Sequence, residues 1–113
     1  MPGVKCLMSL TEFERDIIQA IGKHYPVILE VIGKLVVKSR ESTGSGMYVD
    51  FEPIGRPLDS HTQILDLHGI VIVPNAELGA HIEMERGIPC FLEICCFNFG
   101  GWDGDVSGYS IKN

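Results

Sequence analysis

His81-Ile82-Glu83 and Pro89-Cys90, with Cys95 beyond them, are the residues of this chain best suited to chemistry. A zinc-dependent nucleobase deaminase uses H-x-E and P-C-x-x-C, with histidine and cysteines on the metal and glutamate moving protons. Here four residues separate Cys90 from Cys95 instead of two, and the His-to-Cys interval is too short for the usual connecting elements. Period-two alternation also places these residues on strands, whereas deaminase ligands need helix starts. His61 and His68 lie seven apart, and the chain has no Cys-x-x-Cys or His-x-x-x-His pair. Cys90, Cys95 and Cys96 read as buried thiols acting as small hydrophobes. Neither a metal nor another cofactor is expected.

Thr43-Gly44-Ser45-Gly46 lacks the Gly-Lys-Ser/Thr ending of a phosphate loop and precedes a strand, so it reads as a hairpin turn. The G-x-S-x-G signature of a serine nucleophile is absent. Acidic residues abound, but no two stand out by environment as a catalytic pair. The sequence therefore predicts a non-catalytic protein. The alternative is a small-ligand binder or minor enzyme using His81 with Glu83 or Glu93, which would require a concave pocket with converging polar groups.

Charge and aromatics are what remain. Gly79 to Phe99 alternates apolar and polar residues, turns at Arg86-Gly87, and returns along an apolar arm interrupted by Glu93. His81, Glu83 and Glu85 then share one wet face, with Asp50 and Glu52 joining them if their strand lies adjacent. A three-residue loop would align Glu83 with Phe91 and His81 with Glu93; a two-residue loop would set Cys90 opposite Glu83. Trp102, between glycines and beside Asp103 and Asp105, reads either as an exposed aromatic anchor or as a cap folded over the sheet end.

These residues must be positioned by an α+β fold. Ser9-Leu10-Thr11-Glu12 fits a capping box. Leu10, Phe13, Ile17, Ile18 and Ile21 recur at helical spacing, with Glu12, Glu14 and Asp16 early and Lys23 and His24 late, where the helix dipole favours them. Pro26 stops this helix or opens a short second one, and Val27 to Ile32 fits helix or strand. Leu35 to Glu41 and Met47 to Phe51 read as a hairpin joined by Ser42 to Gly46. Pro53 to Thr62 reads as a loop. Ile64–Leu67 and Ile70–Val73 read as two short strands or one bulged at His68-Gly69. Pro74-Asn75-Ala76 is a turn, and Tyr109 to Ile111 fits a last edge strand. Helix first and strands after predict an N-terminal amphipathic helix packed on a mostly antiparallel sheet, as a single domain over residues 1–113.

The chain has 113 residues and a formal charge of −6, unevenly spread. Residues 1–46 hold six basic and five acidic side chains; residues 47–113 hold three and ten, so the second part is strongly acidic. Such a surface repels phosphate backbones, which argues against nucleic acid, and attracts a basic protein. No apolar run is long enough to cross a membrane, and the N-terminus lacks a secretion signal's apolar core. A cytoplasmic location is expected, with Cys6, Cys90, Cys95 and Cys96 reduced, as a monomer or a homodimer paired through its last strand.

Val37 to Met47, containing Ser39-Arg40-Glu41-Ser42-Thr43-Gly44-Ser45-Gly46-Met47, resembles the SREYTGxGF stretch of a family of small bacterial α+β proteins of uncharacterised activity. Phe91-Leu92-Glu93-Ile94 through Trp102 resembles that family's LExYxYGxxxWP ending. The chain departs from those patterns at Ser42, Met47, Cys95-Cys96-Phe97 and Asp103. Similar small acidic proteins occur beside genes for polymorphic or contact-dependent toxins and act as immunity proteins. The resemblance implies an immunity role and supplies no catalytic residues. The partner would be a basic toxin domain, met by Asp50, Glu52, His81, Glu83, Glu85, Glu93, Trp102, Asp103 and Asp105.

Overall fold

The computed structural model describes residues 8–55, 62–96 and 102–112, and of residues 67–70 the backbone alone. Among the described residues one α-helix, α1 (Glu12–His24), precedes an antiparallel sheet. Its cap is displaced by two residues from the expected one. Thr11, not Ser9, is the N-cap: the Thr11 hydroxyl accepts from the Glu14 amide at 3.1 Å, and the Glu14 carboxylate accepts from the Thr11 amide at 2.9 Å. Two T/S-x-x-E-like registers overlap here, and the one that buries Phe13, Ile17, Ile18 and Ile21 together prevails. At about 1.5–3 kcal/mol per fully buried aliphatic side chain, the three isoleucines outweigh a cap of about 1 kcal/mol.

After Tyr25 the chain makes two 3-10 turns, Pro26–Glu30 and Ile32–Lys34, where the sequence fitted either a second short helix or a strand. The first folds back on α1 at Gly22, where a Cβ would fall 2.3 Å from Leu29 Cδ2. Glycine is the residue that permits this approach.

Six strands follow: β1 (Val37–Ser42), β2 (Gly46–Phe51), β3 (Thr62–Val73), β4 (Ala76–Glu85), β5 (Ile88–Cys96) and β6 (Ser110–Ile111). They form one sheet in the order β1-β2-β5-β4-β3-β6. β3 is a single strand whose register with β4 slips between Leu67 and Val71, the bulge expected at His68-Gly69. The β1–β2 and β4–β5 hairpins form as the alternation predicts. The expected loop Pro53 to Thr62 falls largely outside the described residues, as do Cys6, His61, Phe97, Phe99 and the side chain of His68.

One face of the sheet carries Val49, Leu65, Leu78, Ala80, Ile82, Leu92 and Ile94, buried in one cluster with Phe13, Ile17, Ile18 and Ile21 of α1. Phe13 meets Tyr109 edge-on at a centroid distance of 4.9 Å, and the Tyr109 hydroxyl donates to Asp16. No helix among the described residues is long and apolar enough to cross a membrane.

Candidate functional site: an acidic and aromatic sheet face

Strand alternation sends His81, Glu83 and Glu85 of β4 to the face opposite the core, together with Phe91, Glu93 and Cys95 of β5. How these align depends on the β4–β5 turn. Arg86 and Gly87 both take positive φ, 54° and 83°, and form a two-residue connection with Glu85 opposite Ile88. The register then shifts between Met84 and Glu83, so that Glu83 faces Phe91 and His81 faces Glu93. A two-residue turn followed by a bulge at Pro89-Cys90 therefore yields the pairing expected of a three-residue loop. Proline, which has no amide to give a ladder, is tolerated where the bulge breaks it.

With β5 paired to β2 and β4 to β3, two cross-strand rows run over the face. The first is Glu41, Tyr48, Glu93, His81 and Asp66; the second is Ser39, Asp50, Phe91, Glu83 and Ile64. Five of these ten residues are carboxylates and His81 is the one base. Neighbouring strands lie about 4.8 Å apart, so like charges are held within reach of one partner surface. At the centre, Tyr48 and Phe91 meet at 5.6 Å between ring centroids and His81 and Phe91 at 6.0 Å, all half-buried.

Hydrogen bonds fix several of these groups. His81 Nε2 lies 3.1 Å from Glu93 Oε1, and the Ser39 hydroxyl donates to Asp50 at 3.0 Å. The Tyr48 hydroxyl is bonded to Glu93, which with the Glu93 charge raises its pKa above the ordinary tyrosine value. Burial, then the charge of Glu93, pushes the Cys95 thiol up to about 11. Burial likewise raises Cys90. Both thiols are protonated at neutral pH, the wrong state for a nucleophile. Cys90, Cys95 and Cys96 form no disulfide.

Sequence-predicted site residues thus divide. Asp50, His81, Glu83, Glu85 and Glu93 share the open face, and Glu52 stands one residue beyond the end of β2 with its amide bonded to the Val36 carbonyl. Trp102, Asp103 and Asp105 do not join them. Trp102 packs toward Phe13 at a centroid distance of 6.5 Å, on the α1 side, and its indole donates to the Asp105 carbonyl at 3.3 Å. Asp103 accepts from Asn75 and from the Asp105 amide, and Asp105 accepts twice from Ser107, which lowers its pKa. The aromatic centre within the acidic face is therefore Phe91 with Tyr48, not Trp102. Nothing in the one-dimensional pattern marks Tyr48, because its place beside Glu93 depends on β2 joining β5.

On the α1 side, a cavity of about 330 Å³ is lined by residues including Phe13, Met47, Trp102 and Val106, with Arg40 and Glu14 at its wall. Those two charges bind each other: Arg40 Nε lies 2.7 Å from Glu14 Oε2, and Nη2 lies 2.8 Å from Oε1. This hollow contains neither His81 nor Glu93, the pair the small-ligand alternative relies on. No family profile, curated protein or solved structure matches the chain.

Proposed function

We propose that the protein is a non-catalytic binding module that holds a basic protein partner against its open sheet face. One observation carries this reading: Asp50, Glu83 and Glu93, with Glu41 and Asp66, stand in two adjacent rows around the Tyr48–Phe91–His81 cluster. An aromatic centre inside a charged rim suits protein association, because the rings exclude water while the rim steers the encounter. The uneven charge of the chain adds to the attraction. The likeness to immunity proteins makes a basic toxin domain the partner of choice, with the carboxylates pairing to lysines and arginines of its active site.

Where a toxin domain is encoded beside the gene, it is the probe, purified and titrated calorimetrically at low and high salt. Glu83→Lys with Glu85→Lys should weaken binding more than ~10-fold, and salt should weaken the native complex. Asp103→Lys, on the other side of the sheet, should leave affinity unchanged. Absence of a complex at low salt, or one indifferent to the charge reversals, would overturn the proposal.

A further inference from the structure

We propose that His81, Glu93 and Cys95 form a three-ligand site for a thiophilic divalent cation of the zinc type. The imidazole nitrogen, carboxylate oxygen and thiol sulfur all lie within 4.8 Å of one another, and the nitrogen–oxygen separation is 3.1 Å. Zinc held tetrahedrally at ~2.0 Å from nitrogen or oxygen and ~2.3 Å from sulfur spaces its donors about 3.3–3.6 Å apart. The mixture of one nitrogen, one oxygen and one sulfur suits zinc, and it is unsuited to magnesium or calcium, which take oxygen.

The supporting frame is rigid. Glu93 and Cys95 are next-but-one residues on one face of β5, and His81 stands directly opposite Glu93 on β4. Cys95 is itself flanked on its two neighbouring strands by glycines, Gly79 on β4 and Gly46 on β2. Gly46 admits no other residue: a Cβ there would fall 2.0 Å from the Ile94 carbonyl oxygen. Tyr48 on β2 stands opposite Glu93 on the side away from His81, the place from which an outer partner orients a metal-ligating carboxylate. Three protein ligands leave a fourth position for solvent, the arrangement of an open zinc site. On binding, the Cys95 thiol gives its proton to solvent and its thiolate to the metal, with no change of oxidation state.

A second cluster, Glu83, Glu85 and Cys90, has donors equally close. It lacks histidine and lies at the exposed turn and bulge, so it serves as the internal control.

The metal site shares His81 and Glu93 with the proposed docking face but is tested on the isolated chain, so either reading can fail without the other. Cobalt(II) is titrated into the untagged, reduced, full-length protein under anaerobic conditions. One equivalent should give a thiolate-to-cobalt charge-transfer band and the intense visible bands of tetrahedral cobalt, both abolished by equimolar zinc. Cys95→Ser should remove the charge-transfer band, and His81→Gln should weaken binding more than ~10-fold. Cys90→Ser should retain both signals. Far-ultraviolet circular dichroism establishes that each variant is folded. No charge-transfer band in the native chain, a band that survives Cys95→Ser, or one lost in Cys90→Ser would each overturn the assignment.

Discussion

Arg40→Ala is the substitution whose cost the structure defines most sharply. Glu14 is 1% exposed, and its carboxylate is satisfied by two guanidinium bonds from Arg40 and one from the Thr11 amide. The same contact pushes the Arg40 guanidinium still further above its ordinary range, against the opposing effect of burial. Truncating Arg40 leaves a buried carboxylate with only a backbone amide, a loss of about 3–5 kcal/mol. A domain of this size has a total stability of about 5–15 kcal/mol, so the variant should lose about a fifth or more. At about 4–8 °C per kcal/mol, its melting temperature should fall by at least ~12 °C. Urea unfolding followed by circular dichroism measures the difference, with exposed Arg15→Ala as a control expected within ~0.5 kcal/mol. Adding Glu14→Gln to Arg40→Ala keeps an acceptor for the Thr11 amide while removing the unpaired charge. It should recover part of the loss, with a coupling energy of about 0.5–3 kcal/mol. A loss below ~1 kcal/mol for Arg40→Ala, or no coupling, would show the pair to be solvated like a surface ion pair and refute the reasoning.

Thr11→Ala should cost about 1 kcal/mol in the same assay, while Ser9→Ala should change stability by less than ~0.5 kcal/mol, since Thr11 caps the helix. The Tyr109 hydroxyl bond to Asp16 pushes the tyrosine up to about 12. Its folded-state pKa lies above that of the unfolded chain, so the contact contributes fully below pH ~10 and is lost as pH rises towards 12. Tyrosinate absorbance should show, beside the raised Tyr48, a late-titrating group that disappears in Tyr109→Phe, and that variant should lose stability less steeply across this window.

The sequence made some of this architecture legible and concealed the rest for identifiable reasons. Alternation along 79–99 revealed the β4–β5 hairpin because one of its faces is buried, and helical spacing revealed Ile17, Ile18 and Ile21 for the same reason. The cap is ambiguous in the sequence because Ser9 stands three before Glu12 and Thr11 three before Glu14, and only the buried destination of Glu14 decides between them. Both proposed loop lengths contained part of the answer at Arg86-Gly87, since turn chemistry sets the connection and the bulge at Pro89-Cys90 resets the pairing. The site was half visible. Acidic residues on a single hairpin could be grouped by parity, but Tyr48 and Asp50 join them through a pairing of β2 with β5 that no local signal specifies. Cys95 was weighed against Cys90 along the chain, although its companions His81 and Glu93 lie across and beside it. Composition leaves Trp102 either an exposed anchor beside the acids or a cap folded over the sheet end, and its packing toward Phe13 places it away from the acidic face.

The strand order imposes a schedule on synthesis. β2 borders β5, so the early hairpin and α1 have no central sheet to rest on until the last long strand has been made. At ~5–20 residues per second, translating the stretch from Phe51 to Cys96 takes about 2–9 s. Until β4 and β5 are made, Ile17, Ile18 and Ile21 lack Leu78, Ile82, Leu92 and Ile94 of their finished cluster, which makes the newborn chain a client for holding chaperones before it is a folded protein.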